Sequence, residues 1–433
     1  MKTGRSLNGW LVYLETLHPA EIELGLDRVR RVAENAGVLS QEPFIVTVAG
    51  TNGKGTTIAA LESVLLKAGL RVGVFTSPHL FRYNERVRIN GQMVSDQPLC
   101  DSFSEIDKVR DNIPITYFEF STLSALWLFA RQALDIILLE VGLGGRLDAV
   151  NIVDPDVSVL TSIGIDHTDW LGSTIDAIAR EKVAIGRKGK PFVCGADNLP
   201  DTVSDELMSV VSPFVCRPQF GLRTVSDSSI ISDSSKPRWV WQGVSEQGEF
   251  VAINDLPSTK IPLVNAALAL QVLQFLPFKI SEQAVLEGIG TVSVPGRLQW
   301  VDFNDTSIIV DVAHNEQAAT YLAAQLAKIR LKYNKVIALY SALQDKDSVA
   351  VVKALRGVID RWIVAPLDTP RGSTLEDLKA SLVLNQVDDA QYFATVRAAL
   401  LHLSLINDQK TLIIVFGSFY TVAEALQFYG CTD

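Results

Sequence analysis

Apolar positions along the chain change their period near Phe44. Before it, Trp10, Leu11, Leu14 and Leu17 recur at the spacing of one helix face, which predicts an amphipathic helix over 7–17. From Phe44 onward, short unbroken apolar runs alternate with longer helical stretches. Residues 44–48, 71–75, 135–140, 157–161 and 191–194 read as strands. Helices are predicted between them over about 56–68, 117–133 and 174–186. This alternation implies a mainly parallel sheet covered by helices on both faces. Residues 222–260 differ: Ser226, Asp227, Ser228 and Ser229 adjoin short alternating segments around Trp239 and Trp241, which predict antiparallel strands. A helix over 265–275 follows, and then Val294-Pro295-Gly296-Arg297 interrupts the pattern. Strands at 307–310, 336–340, 361–365 and 411–416 begin a second α/β rhythm. The expected architecture is a P-loop-type, mainly parallel ATPase domain with a small antiparallel sheet over 1–294. A smaller Rossmann-like α/β domain follows over 297–433.

Composition narrows the partners. Of 433 residues, 48% are hydrophobic and 20% charged, enough apolar material for sizeable cores and too little charge for a disordered chain. No apolar run approaches the length of a membrane span, and the start lacks a signal-peptide pattern, so a cytoplasmic protein with no membrane partner is expected. A net charge of −10 disfavours nucleic acid, whose phosphates attract basic surfaces. The four cysteines, Cys100, Cys194, Cys216 and Cys431, form no C-x-x-C pair, which argues against a zinc site or disulfide framework.

The sharpest chemical signal is Gly50-Thr51-Asn52-Gly53-Lys54-Gly55-Thr56-Thr57, placed after a strand and opening a helix. Glycines let several N–H groups converge on phosphate oxygens, and the helix N-terminus and Lys54 add positive charge. Thr56 can place a hydroxyl on a nucleotide-bound Mg²⁺. The spacing departs from G-x-x-x-x-G-K-[ST], because Gly55 separates Lys54 from Thr56. Ser77, Glu140 and His167 stand at or just after strand ends, where parallel sheets bind ligands, and are candidate metal ligands beside Thr56. Singly, each reads equally well as a capping serine, a solvated glutamate or a hydrogen-bonded core histidine. In the second domain Asp311-Val312-Ala313-His314-Asn315 and Gly417-Ser418-Phe419 again follow strands and precede helices. A carboxylate and an imidazole there are expected to face the nucleotide across a cleft; the plainer reading is a capping turn with a structural histidine.

With those residues in view, the chain resembles the folylpolyglutamate synthase/dihydrofolate synthases of the ATP-dependent Mur-ligase superfamily. The motifs run in that family's order: VAGTNGKGTT at 48–57, TSPHL at 76–80, EVGLGGRLDAVN at 140–151, DHTDWLG at 166–172, PGRLQ at 295–299, DVAHN at 311–315 and GSF at 417–419. The resemblance implies ligation of L-glutamate to dihydropteroate, or to a reduced folate, through an acyl phosphate made with ATP. It assigns Thr56, Ser77, Glu140 and His167 to Mg²⁺, and Thr51, Asn52, Gly53, Lys54 and Gly55 to the phosphates. Asn265, Arg297 and Asp311 match nucleotide contacts. Glu23, Leu24, Gly25 and Leu26, Thr116, Tyr117, Phe118 and Glu119, and Leu147, Asp148 and Ala149 match the pterin site. Phe118 and Phe120 also fit plain core roles.

His314 and Ser418 fall on the glutamate side. Lys182 matches a family lysine that CO₂ carbamylates, assisting a second metal; burial would favour the neutral amine this requires. The family often has Ala-Gly where this chain has Val183-Ala184, and Asn-Pro-His where it has Asn315-Glu316-Gln317, the latter expected to alter a helix start. A monovalent cation and a monomeric state complete the expectations. The competing readings are a Mur ligase acting on cell-wall precursors and a nucleotide switch without ligase activity.

Overall fold

The first apolar run forms β1 (Phe44–Ala49), whose last five residues are all buried, as a strand covered on both faces requires. β1 lies inside an eight-stranded sheet with β2 (Val72–Phe75), β3 (Val87–Ile89), β4 (Gln92–Met93), β5 (Ile136–Glu140), β6 (Val157–Leu160), β7 (Phe192–Cys194) and β8 (Phe214–Cys216). Their order is β4-β3-β2-β5-β1-β6-β7-β8, parallel from β2 to β8 with β3 and β4 antiparallel at one edge. The computed structural model describes residues 4–18, 22–224 and 238–431, so the Ser/Asp-rich run at 226–229 lies outside the described residues. Two compact units emerge: Met1–Gly164 with Thr168–Ser293, and Ile165–His167 with Val294–Asp433.

In the first unit, α1 (Leu7–Thr16), α2 (Asp27–Ala36), α3 (Lys54–Lys67), α4 (Asp96–Val109) and α5 (Tyr117–Phe129) are the helices that shape the candidate site. α2 was not anticipated because it is mostly polar, yet Val29, Val32 and Ala33 bury one face of it. α3 begins at Lys54, two residues before the predicted start, because Gly53 adopts φ 90° and turns the chain into the helix. The helix predicted over 117–133 stops at Phe129, where Arg131 and Gln132 close tight turns onto Leu128 and Phe129. The helix predicted over 174–186 is Ile175–Val183, with the Thr174 hydroxyl accepting from Ala177 N.

The small sheet contains β9 (Gly221–Thr224), β10 (Arg238–Val244) and β11 (Phe250–Pro257), all antiparallel. Simple alternation fails in β10: Trp239, Val240 and Trp241 are all buried, and the register with β11 shifts between the two tryptophans. Both indoles are satisfied, donating to Pro257 O at 2.8 Å and Ala267 O at 3.0 Å.

The second unit holds β12 (Gln299–Phe303), β13 (Thr306–Asp311), β14 (Lys335–Tyr340), β15 (Arg361–Val364), β16 (Ala390–Tyr392) and β17 (Thr411–Phe416). Their order is β12-β13-β17-β14-β15-β16, and only β12 is antiparallel to its neighbour. Its core is aromatic where β14, β15 and β17 meet: the Tyr340 ring lies 5.0 Å from Phe416 and 5.9 Å from Trp362. A mixed α/β fold with a mainly parallel central sheet and a second sheet domain is therefore the observed class. Among the described residues, no helix is long and apolar enough to cross a membrane.

One close approach locks α3 in place. A Cβ on Gly288, in the helix Glu282–Thr291, would lie 2.6 Å from Val64 Cα, and Ser63 Oγ donates to Gly288 O at 2.8 Å. Gly288→Ala should therefore destabilise the first unit by about 1–3 kcal/mol, despite alanine's better helix propensity. A denaturant midpoint at or above wild type would contradict this packing.

Candidate active site

The strand order decides which polar residues meet. With β2, β5, β1 and β6 adjacent and parallel, the segments leaving their carboxyl ends lie side by side: Thr76-Ser77, Glu140, Gly50 to Gly53, and Thr161-Ser162. The turn after β1 is held to the one after β6. Thr51 N donates to Ser162 O at 2.9 Å, Asn52 N to Ser162 Oγ at 2.9 Å, and Thr161 Oγ1 to Asn52 O at 2.7 Å. A Cβ on Gly50 would lie 1.9 Å from Thr161 Oγ1, so only glycine allows this approach.

These bonds shape the turn expected to cradle phosphates: the amides of Thr51 and Asn52 bond Ser162, and further donors stand at the start of α3. There Gly53 supplies no side-chain cap, so the first-turn N–H groups of Lys54, Gly55 and Thr56 keep the open donor character of a helix N-terminus. Lys54 folds its ammonium back over the turn, donating to Gly50 O at 2.9 Å. The arrangement fits a polyphosphate.

Hard oxygen ligands border the same helix start. The Glu140 carboxylate accepts from Ser77 N at 3.1 Å, and a Cβ on Gly55 would lie 3.8 Å from both of its oxygens. Thr56 Oγ1 donates to Gly53 O at 3.0 Å and accepts from Asn265 Nδ2 at 2.6 Å, which leaves it one lone pair. Thr56, Ser77 and Glu140 are thus brought together. Among the described residues no group of three or more His, Cys, Asp or Glu is placed to hold a metal unaided. One carboxylate and two hydroxyls instead suit Mg²⁺, which completes its shell with phosphate and water. His167 groups with the second unit, in a left-handed conformation at φ 53°.

A brace that the sequence did not reveal holds the Ser77 turn to α3. Arg88 pairs with Glu62 of α3 at 2.7 Å and donates to Thr76 Oγ1 at 3.2 Å. Lys182 is 4% exposed, at the end of the helix Ile175–Val183. The glycine-rich loop after β5 packs on that helix, since a Cβ on Gly145 would lie 2.6 Å from Glu181 O.

The three segments assigned to the pterin also converge. Thr116 and Glu119 form a capping box at the start of α5, and Arg28 of α2 donates to Glu119 at 3.1 Å while pairing with Glu23. Arg28, which joins the two acidic residues, was missed. Burial raises the Glu119 pKa, against the Thr116 amide and Arg28. Ala149–Ile152 packs on α2 and α5, and Leu147 is exposed. Asp148 accepts from Leu143 N and Val150 N at 2.8 and 2.9 Å; its burial still pushes the carboxyl up to about 6. Asp148 therefore shapes the loop first. Phe120 is fully buried core, whereas Phe118 is half-buried and touches Gly142.

In the second unit β13 and β17 end together, Asp311 paired with Phe416. Asp311 accepts from Leu298 N and Ala313 N, each at 2.8 Å; burial raises its pKa and nearby Arg297 lowers it. The Arg297 guanidinium lies 5.0 Å from the Phe419 ring centroid. His314 Nδ1 bonds Val312 O at 2.9 Å, leaving Nε2 3.6 Å from Asp166. Asp166 also binds Lys346 at 2.7 Å and Asn315 Nδ2 at 3.0 Å. Although burial opposes it, His314 and the Lys346 charge hold this carboxyl well below the usual range. Lys346 lies in the segment between β14 and the helix Ser348–Leu355 and carried no motif signal. Asn315 caps the helix Glu316–Ile329, so the Glu-Gln departure leaves an ordinary helix start. Ser418 is buried and caps its helix, accepting from Thr421 N at 3.0 Å.

Gly53→Ala tests the cradle directly. A Cβ there would lie 2.8 Å from Asn265 Oδ1 at a positive φ. Nucleotide affinity should fall at least about tenfold while the folded state survives; calorimetric titration with ATP showing wild-type affinity would contradict the cradle.

Residues 48–213 match the model of the Mur ligase middle domain, and residues 296–419 that of the Mur ligase glutamate ligase domain. A dihydrofolate synthase/folylpolyglutamate synthase of Escherichia coli K12 is 43% identical over 97% of this chain and 95% of its own length. The Haemophilus influenzae protein of the same name is 41% identical over 98% of each. Among solved structures, E. coli FolC in complex with DHPP and ADP superposes with a TM-score of 0.89 at 41% identity, covering 98% of both chains. A bifunctional folylpolyglutamate synthase/dihydrofolate synthase with Mn, AMPPNP and L-glutamate bound gives 0.87 at 43% identity, again over 98% of both.

Proposed function

This chain belongs to the dihydrofolate synthase/folylpolyglutamate synthase family of Mur ligases, and on that premise we propose how its residues divide the work. It is an ATP-dependent ligase that adds L-glutamate to folate-type acids: to 7,8-dihydropteroate, and to tetrahydrofolate and its glutamylated forms. The observation that carries the assignment of roles is the uncapped start of α3 beneath the Glu140–Ser77 pair.

A carboxylate is a poor electrophile with a poor leaving group. Attack of the substrate carboxylate on the γ-phosphate of ATP gives an acyl phosphate, which the amine of L-glutamate then attacks; phosphate leaves and an amide remains. Catalysis is mainly positioning and stabilisation of charge moving onto oxygens. The turn from Thr51 to Gly55, the N–H groups of Lys54, Gly55 and Thr56, and the Lys54 ammonium hold the phosphates. Asn265 orients the Thr56 hydroxyl and, with Arg297 and Asp311, contacts the nucleotide. Thr56, Ser77, Glu140 and His167 would hold Mg²⁺, which when bound offsets phosphate charge. Lys182 carries a CO₂-derived carbamate that serves a second metal, and a monovalent cation supports the site. Glu23 to Leu26, Thr116 to Glu119 and Leu147 to Ala149 take the pterin, while His314 and Ser418 serve the glutamate. The protein works as a cytoplasmic monomer.

Products formed with dihydropteroate and with tetrahydrofolate, each with ATP and L-glutamate, test the assignment by mass spectrometry. A mass gain of one glutamyl residue is expected on both; none on either would refute it. Lys54→Ala should lower turnover at least about 100-fold without unfolding the chain, because the phosphate contact it removes matters more than the single bond from its ammonium to Gly50 O. Lys182→Ala should lose a similar share of activity, and normal rates in bicarbonate-free buffer for that variant would dismiss the carbamate.

A further inference from the structure

One side chain joins residues 23–26, the first turn of α2 and the start of α5. Arg28, in that first turn, pairs through Nη1 with the Glu23 carboxylate. Its Nη2 donates to Glu23 O at 3.2 Å and to Glu119 Oε1 at 3.1 Å. Glu119 is 4% exposed, and its other oxygen accepts from Thr116 N at 2.7 Å. The second oxygen of Glu23 meets His18 Nε2 at 2.9 Å, just beyond the end of α1. A connected row of polar groups therefore runs from His18 through Glu23, Arg28 and Glu119 to Thr116, although Arg28 and Glu119 stand 91 residues apart in the chain.

Both sides of the row depend on its centre. Burial drives the Glu119 carboxyl toward its neutral form, and the Thr116 amide and Arg28 oppose this. Without Arg28, a buried carboxylate would lose its cation. Residues 23–26 form neither helix nor strand, and Gly25 takes φ 149°, a conformation that favours glycine. Arg28 holds this segment at two points, the Glu23 carboxylate and the Glu23 carbonyl, which a planar fork of donors can do in one fixed geometry. Holding the fork there leaves Arg28 Nε buried without a hydrogen-bond partner, a cost that the two carboxylates offset. A segment fixed before its ligand arrives spares the ordering entropy that binding would otherwise cost.

We infer that Arg28 is a positioning residue for the acceptor: acting through Glu23 and Glu119, it sets residues 23–26 and the start of α5 in place before the pterin end of the acceptor binds. The inference rests on the ligase reading above and its pterin segments. Dihydropteroate and tetrahydrofolate share a pterin-type ring and react at the carboxylate on the opposite end. Loss of Arg28 therefore weakens both acceptors by one factor and leaves the chemical step in place.

Steady-state kinetics of the full chain, with ATP and L-glutamate saturating, test this together with calorimetric titration of ADP. For Arg28→Gln, KM should rise about 10- to 50-fold, by the same factor for dihydropteroate and tetrahydrofolate, with kcat within about threefold and ADP affinity within about twofold of wild type. Arg28→Lys should recover part of the loss, because the charge remains and the fork is gone. Adding Glu119→Gln to Arg28→Gln should raise KM by less than the product of the single effects, as for residues that act through one another; full multiplication would overturn the proposal. Unchanged acceptor KM would also overturn it, as would an effect on one acceptor alone. Parallel loss of kcat and ADP affinity would assign Arg28 to packing and end it. Should Arg28→Gln not fold, Arg28→Lys carries the test: acceptor KM at least about threefold above wild type with ADP affinity retained is expected, and a wild-type KM refutes the role. Product formation by the wild-type chain from both acceptors keeps the ligase reading separate from any of these results.

Discussion

The structure depends on the open donors at the start of α3. Some helix N-termini in this chain are closed by a side chain, as by Thr116, Thr174 and Asn315, and others, such as those of α2 and α4, are not. At Gly53 no side chain does so, and a methyl group there would strike Asn265. The first-turn amides therefore keep their hydrogen-bonding capacity for a ligand, at the end of the helix where the backbone dipole favours negative charge. Three features of the first unit brace α3 and the turn before it: the Thr161 and Ser162 bonds behind the turn, the Arg88–Glu62 pair, and Gly288 pressed against Val64.

Buried charge in this protein is organised around what each unit must bind. In the first unit, Glu119 and Glu62 are neutralised by arginines, while Arg86 meets only a neutral-type partner, the His79 ring nitrogen. His79 itself is pushed down to about 4 by burial and by the adjacent guanidinium, so it faces Arg86 as an uncharged acceptor. In the second unit, Asp166 gathers Lys346, His314 and Asn315 onto one carboxylate, which fixes the orientation of the His314 ring from Nε2 while Val312 O holds Nδ1. Fixed rings and fixed carboxylates are the form that positioning catalysis takes when the protein does no covalent chemistry itself.

Sequence alone determined the strands, because parallel strands buried on both faces must be continuous apolar runs; β1, β5 and β17 show this plainly. It also determined the glycine-rich turn, since few backbones other than Gly50 and Gly53 tolerate that path, and the family, since the motifs recur in order from Val48 to Phe419. Short or polar elements escaped it. α2 hides its buried stripe among charges, and the β10 bulge breaks the alternation that reveals a half-buried strand.

Only the tertiary structure decided which groups meet. Adjacency of β2, β5, β1 and β6 is a property of strand order, and no local pattern encodes that Ser77 and Glu140, 63 residues apart, share a hydrogen bond. The same holds for Thr51 and Asn52, whose amides looked available until Ser162 took them, and for Arg28, Arg86 and Lys346, whose meaning lies in the presence or absence of a carboxylate distant in the chain. Periodicity reports which side of an element faces the core; pairing of charges across elements depends on distances that only the folded chain sets.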